Sequence, residues 1–174
     1  MEKKVTFGNL VKYGVLLGLA LIIISLIKIY LKNFIEQDIS LIFTLLDVGT
    51  YVFFIYCAIR FAVKYIYVEN YSFAKGVKVG LFIGVIAAAL VCIYQYIEIK
   101  FIIPDVYQEQ IETAIEIRGV PERMDGTIRS MFTIMYVIGH FIISFMISLL
   151  ASLFISPFFK KRQTTIINEK SSNN

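Results

Sequence analysis

Asp47 and His140 are the residues of this sequence best placed to do chemistry, because each stands deep inside an apolar run. Asp47 lies nine residues past Asp38, and His140 nine past Met131. At a helical rise of about 1.5 Å per residue, both sit about 13 Å from the corresponding ends of their runs and share a level. A charge at that depth in hydrocarbon costs at least about 2.5 kcal/mol, so an ionisable group there is a functional candidate by default. Ser25, Thr50, Gln95 and Tyr136 fall in the same half of their runs and complete a polar cluster, with Ser144 one turn from His140.

Three chemistries compete for that cluster. In the first, Asp47 is protonated or paired with His140 and hydrogen-bonds between helices, specifying how they pack. In the second, the pair titrates near neutrality and serves a proton or solute path. The third makes Ser144 a nucleophile with His140 as base and Asp47 as orienting carboxylate. Serine recurs at positions 144, 148, 152 and 156, the period of a packing face, and this weighs for the first reading over the third. One histidine with no thiolate nearby makes no metal site. No catalytic residue, metal or cofactor is therefore assigned, and the chain reads as a non-enzyme. Lys12, Lys28, Arg60, Lys64, Lys78, Glu98 and Lys100 are excused by position, since they fall near the ends of apolar runs where long side chains reach water.

The elements that must position these groups are four apolar runs, at residues 11–30, 39–59, 79–97 and 131–158. Each reaches the roughly 20 residues that a helix needs to cross a bilayer core of about 30 Å. The chain is 58% hydrophobic and 17% charged, with a mean hydropathy of +0.75, which excludes a water-soluble globule. The expected fold is all-α and polytopic, with a four-helix transmembrane domain over residues 1–162. Cys57 and Cys92 lie inside the second and third runs with no CxxC or Cys/His cluster, so they read as small packing residues. Lys3 and Lys4 before an apolar run resemble a signal peptide, but the run is too long for one and ends in Lys28-Ile29-Tyr30, which favours a retained first span.

Charge gives the orientation. The termini and the connection between spans two and three carry eleven Lys and Arg, the opposite side six, and most of the acids fall on that opposite side. Both termini are expected to be cytoplasmic. The net charge of +4 then reports orientation and not nucleic-acid binding.

Small residues recur one turn apart on three runs: Gly14 and Gly18 on the first, Gly76, Gly80, Gly84 and Ala88 on the third, and Ser144, Ser148, Ser152 and Ser156 on the fourth. Such strips let helix backbones approach closely, inside the bundle or across a homodimer face. Residues 7–18 and 73–84 both read F-x-x-x-V-K-x-G-x-x-x-G, pointing to a duplicated two-helix unit.

Residues 104–130 form the one sizeable extramembrane segment. On a helical wheel Asp105, Glu109, Glu112 and Glu116 share a face opposite Tyr107, Ile111, Ala114 and Ile115, with Pro104 at its start and Gly119 past its end. This predicts an amphipathic extracytoplasmic helix that lies on the outer membrane surface or caps the bundle. A second short helix is expected from Pro121, and a polar disordered tail over 163–174.

The run from Tyr71 to Gly80 (YSFAKGVKVG), the close of the third span in Phe101-Ile102-Ile103-Pro104-Asp105, the acidic helical connection, and a serine-rich fourth span ending in Lys160-Lys161-Arg162 resemble domain-of-unknown-function family 4199. The resemblance covers nearly the whole chain and is most specific over residues 71–105. It implies a small four-helix protein of the bacterial inner membrane, and because the family has no established activity it carries over no functional residues. Glu98 and Lys100 stand where mostly aromatic and apolar residues are expected of relatives. The functional expectation is a structural or accessory component of a membrane assembly, with the lipid bilayer and a second copy or a membrane protein as partners. The alternative is a small transporter or channel using Asp47, Gln95, His140 and Ser144.

Overall fold

Pro104 fixes the geometry of half the molecule. Having no N–H, it cannot continue a helical ladder, and it drives the residue before it out of the α conformation. Ile103 accordingly adopts φ −131° and ψ 49°. The turn ahead of it widens to π geometry, with the Ile103 N–H donating to the Glu98 carbonyl at 3.0 Å. The chain then restarts as a new helix with Pro104 in its first turn, where a missing donor costs nothing.

The computed structural model describes the backbone of residues 2–32, 40–67, 70–118 and 125–172, and the side chains of 8–31, 40–67, 70–105, 107–109, 111–113 and 131–159. Five α-helices follow in order: α1 Glu2–Lys32, α2 Ser40–Tyr65, α3 Phe73–Ile97 with its π-turn Glu98–Ile102, α4 Pro104–Arg118, and α5 Asp125–Ser172. No strand occurs among the described residues. Ser72 caps α3 from extended backbone, its hydroxyl accepting from the Lys75 N–H. Four stretches are long and apolar enough to cross a membrane: Gly8–Leu31, Ser40–Tyr65, Phe73–Ile102 and Met131–Phe159. The third runs well beyond the expected 79–97, because the π-turn prolongs it to Ile102. The expected helix start at Pro121 and the Gly119 stop lie outside the described residues, as do the side chains of Ala114, Ile115 and Glu116. Helix α5 carries the backbone of 163–172, set apart above as a tail, as far as Ser172.

Only 22% to 39% of the most apolar 18-residue window in each crossing stretch is buried within the protein. Phe154 and Phe158 on α5 are 73% and 74% exposed, and Leu41, Ile42 and Leu45 on α2 are exposed as well. A soluble monomer does not tolerate contiguous apolar surface of this extent, whereas lipid does. The molecule is a multi-pass membrane protein.

Helix α3 is the central element. It packs on α1, α2 and α5, while α2 also touches α1 and α5, and α4 rests on the π-turn and α5. The core joins Leu10, Leu17 and Leu21 of α1, Tyr51, Ile55 and Ile59 of α2, Val79 and Ile83 of α3, and Ile155 and Phe159 of α5. The small-residue strips meet inside this bundle. Antiparallel α3 and α5 pair Gly76 with Ser156, Gly80 with Ser152 and Gly84 with Ser148, each glycine so close that a methyl group would strike the serine side chain. Ser148 and Ser152 satisfy their hydroxyls within α5, donating to the Ser144 and Ser148 carbonyls at 2.8 and 2.5 Å. Gly14 and Gly18 of α1 face Ile86 and Leu90 of the parallel α3. The glycines that correspond in the repeated sequence thus serve different neighbours: Gly14 and Gly18 meet α3, whereas Gly80 and Gly84 meet α5.

A candidate polar site at the α4 end of the bundle

Helix α1 ends, α2 begins and α3 passes through its π-turn at one end of the bundle, and the half-buried ionisable groups Asp47, Glu98 and His140 lie toward it. Tyr51 of α2 and Ser144 of α5 interact through their side chains. One turn further toward this end on each of these parallel helices come Asp47 and His140, at one level as the spacing requires. Both are half-buried. No hydrogen bond or ion pair joins them among the described residues. The His140 ring instead lies against Tyr136, with centroids 4.7 Å apart, and its Nδ1 is 3.3 Å from the Tyr136 carbonyl. The charge acting on both Asp47 and His140 is the Lys28 ammonium of α1.

The other expected members divide. Thr50 donates to the Leu46 carbonyl of its own helix at 2.8 Å. Ser144 is buried and turned to Tyr51, not to His140. Gln95 is 8% exposed, and its Oε1 has no partner among the described residues. Ser25 reaches across from α1 to donate to Glu98 Oε2 at 3.4 Å.

Glu98 is the residue that sequence reasoning passed over. Its place near the end of the third span stands, but the helical stretch continues past Ile97 to Ile102 and sets Glu98 four residues in from that end. Pro104 was the available signal, since a helix stops at its proline and not at the last strongly apolar residue before it. Around Glu98 stand Tyr94 one turn back, Ser25 and Lys28 of α1, and Tyr136 of α5. Helix α4 closes the group. Tyr107 and Ile111 are buried with Ile99 against Phe132 and Val137, the Tyr107 ring meets Tyr136 edge-on at 5.7 Å, and Asp105, Glu109 and Glu112 face outward. Cys92, expected to be a packing residue, donates to the Val137 carbonyl at 3.6 Å.

The opposite end is simpler. Tyr71, in the short connection between α2 and α3, donates to the Ser156 carbonyl at 3.1 Å and packs on Gly76. Burial pushes its hydroxyl pKa up, partly opposed by the Ser156 interaction. Lys75 lies over the Tyr67 ring at 5.1 Å.

Among the described residues no three His, Cys, Asp or Glu side chains converge in a way that would hold a metal ion. No curated protein and no solved structure matches the chain. One family model does, over residues 12–161, from the first span to the basic residues that follow the fourth. With four membrane-crossing helices and a match of that length, the chain belongs to the family described as proteins of unknown function, DUF4199.

Proposed function

We propose that this protein is a non-enzymatic accessory or structural component of a larger assembly in the bacterial inner membrane, with both termini in the cytoplasm. The observation that carries this reading is the α3–α5 seam. Ser148, Ser152 and Ser156 are fully buried against glycines, and two of the three hydroxyls are consumed within their own helix. A seam filled by the protein's own side chains suits a scaffold better than a conduit. The apolar outward faces of α2 and α5 suit contact with lipid, a second copy or another membrane protein.

Gentle solubilisation from native membranes, followed by mass spectrometry of the intact complex, tests the proposal. Stoichiometric partner proteins support it. A protein that purifies alone and passes protons or solutes in liposomes overturns it in favour of the second reading, a small transporter or channel. That alternative draws on the half-buried Asp47 and His140 at one level. It predicts that Asp47→Asn abolishes proton-linked flux, and unchanged flux would remove it.

A further inference from the structure

We propose that the junction of α1, α3 and α4 contains a proton-binding site, in which the Glu98 carboxyl, framed by the hydroxyls of Ser25 and Tyr94, takes up and releases a proton. This goes beyond the accessory reading, which needs no such group. It also differs from the transport reading, whose ionisable level was Asp47 and His140.

Position and partners carry the argument. Glu98 opens the π-turn, four residues short of the end of a 30-residue crossing stretch, and is half-buried there. π-turns inside helices gather at functional positions. Ser25 supplies one hydroxyl, at 3.4 Å from Oε2. Tyr94 supplies the second: its side-chain interactions run to Ser25 and Glu98, yet among the described residues its buried hydroxyl completes no hydrogen bond. An unsatisfied buried hydroxyl is costly, so the Tyr94 hydroxyl has reason to bond to the half-buried carboxyl one turn away on its own helix.

The chemistry of the frame fits a proton. A carboxylate only accepts, whereas a carboxylic acid also donates. Hydroxyls do both, so Ser25 and Tyr94 can donate to the ionised carboxylate and one of them can accept from the neutral acid. The O–H bond at Glu98 is the only bond made or broken, and the proton comes from and returns to bulk water at this end of the bundle.

The ionisable groups near Glu98 are Lys28 from α1, Tyr94 on its own helix and Tyr136 from α5, with Tyr107 of α4 packed on the far side of Tyr136. On α2, Asp47 is coupled to Lys28. Lys28 is exposed and its ammonium can turn to water, while Lys100 is drawn over the Tyr96 ring at 4.8 Å. The negative charge on Glu98 therefore has two ways to be balanced, by Lys28 or by a proton.

Infrared spectroscopy of the full chain in phospholipid vesicles, titrated in water and in heavy water, reads the site directly. The expected result is a protonated-carboxyl band that titrates, shifts in heavy water and is absent from Glu98→Gln. Tyr94→Phe and Ser25→Ala keep the carboxyl and remove one hydroxyl each, and should change its proton affinity about tenfold, the worth of one hydrogen bond to a charged group. These two variants keep the test decisive if Glu98→Gln does not fold. The proposal is overturned if no such band titrates, if it persists in Glu98→Gln, if it vanishes instead in Asp47→Asn, or if neither hydroxyl variant moves it.

Discussion

Gly80 has room for a hydrogen atom and nothing larger, since Ser152 stands where a Cβ would be and Ile55 closes the remaining side at 3.2 Å. Gly80→Ala should therefore lower stability by about 1–3 kcal/mol through overpacking. Gly49, also helical but with nothing within 4 Å, is the matched control. There the same change should be neutral or stabilising by up to about 1 kcal/mol through helix propensity. Thermal unfolding in detergent compares the two, and equal shifts would show that the seam is not closely packed. Tyr71 gives a pH signature outside the membrane. Its folded pKa is raised above the ordinary 10.0, so an unfolded chain releases that proton first. The stability it confers is complete below about pH 10 and is lost as pH rises from there toward the folded pKa. Tyr71→Phe should cost about 1 kcal/mol at neutral pH, for the lost bond to Ser156, and should flatten the alkaline decline in melting temperature.

At the scale of elements, the side chains of α4 buried against the bundle among the described residues are Tyr107 and Ile111. Ile111→Asp should release it from the π-turn while the four crossing helices stay folded. Amide exchange over residues 104–113 should then rise at least about tenfold, with exchange in α3 upstream of Tyr94 unchanged; protection across both segments lost together would show that α4 is part of the bundle core. What was legible in the sequence follows the same division. The small-residue strips were readable because a four-residue period fixes a helix face whatever that face meets. In the described part of α4, Tyr107 and Ile111 are buried and Glu109 and Glu112 exposed, while Ala114, Ile115 and Glu116 of the expected faces lie outside the described side chains. Depth was readable too, and Asp47 and His140 do share a level. Contact was not, because spacing along one helix says nothing about how far two helices stand apart there, and Tyr136 offers His140 a nearer surface. Glu98 was missed because hydropathy falls off before the backbone stops being helical, and a π-turn has no hydropathy signature.

For the whole molecule, the positive-inside asymmetry makes a claim about sidedness. With Cys57 and Cys92 replaced by alanine, Glu109→Cys should react with a membrane-impermeant maleimide in intact cells, and Asn70→Cys only after permeabilisation. The reverse pattern would invert the topology and place the Glu98 group on the cytoplasmic side. Lipid is part of what holds this fold, because each crossing stretch leaves large apolar side chains such as Leu16, Leu41, Ile93 and Phe154 exposed. Stability measured in detergent will therefore depend on the detergent, and comparisons between variants hold only within one.

The seam between α3 and α5 is a ruler with equal divisions. Sliding α5 by four residues, about 6 Å, would bring Gly76, Gly80 and Gly84 opposite Ser152, Ser148 and Ser144, and all three notches would close again on serine. Hydroxyls that bond within their own helix do not object to such a step. What distinguishes one setting from the next lies in contacts that do not repeat, among them Tyr51 against Ser144, Cys92 on the Val137 carbonyl, Tyr56 against Phe159 and Tyr71 on Ser156. These unrepeated contacts are thus the zero marks of the bundle, and a chain that lost them would keep its helices and its spans while losing its reason to prefer one alignment over its neighbour.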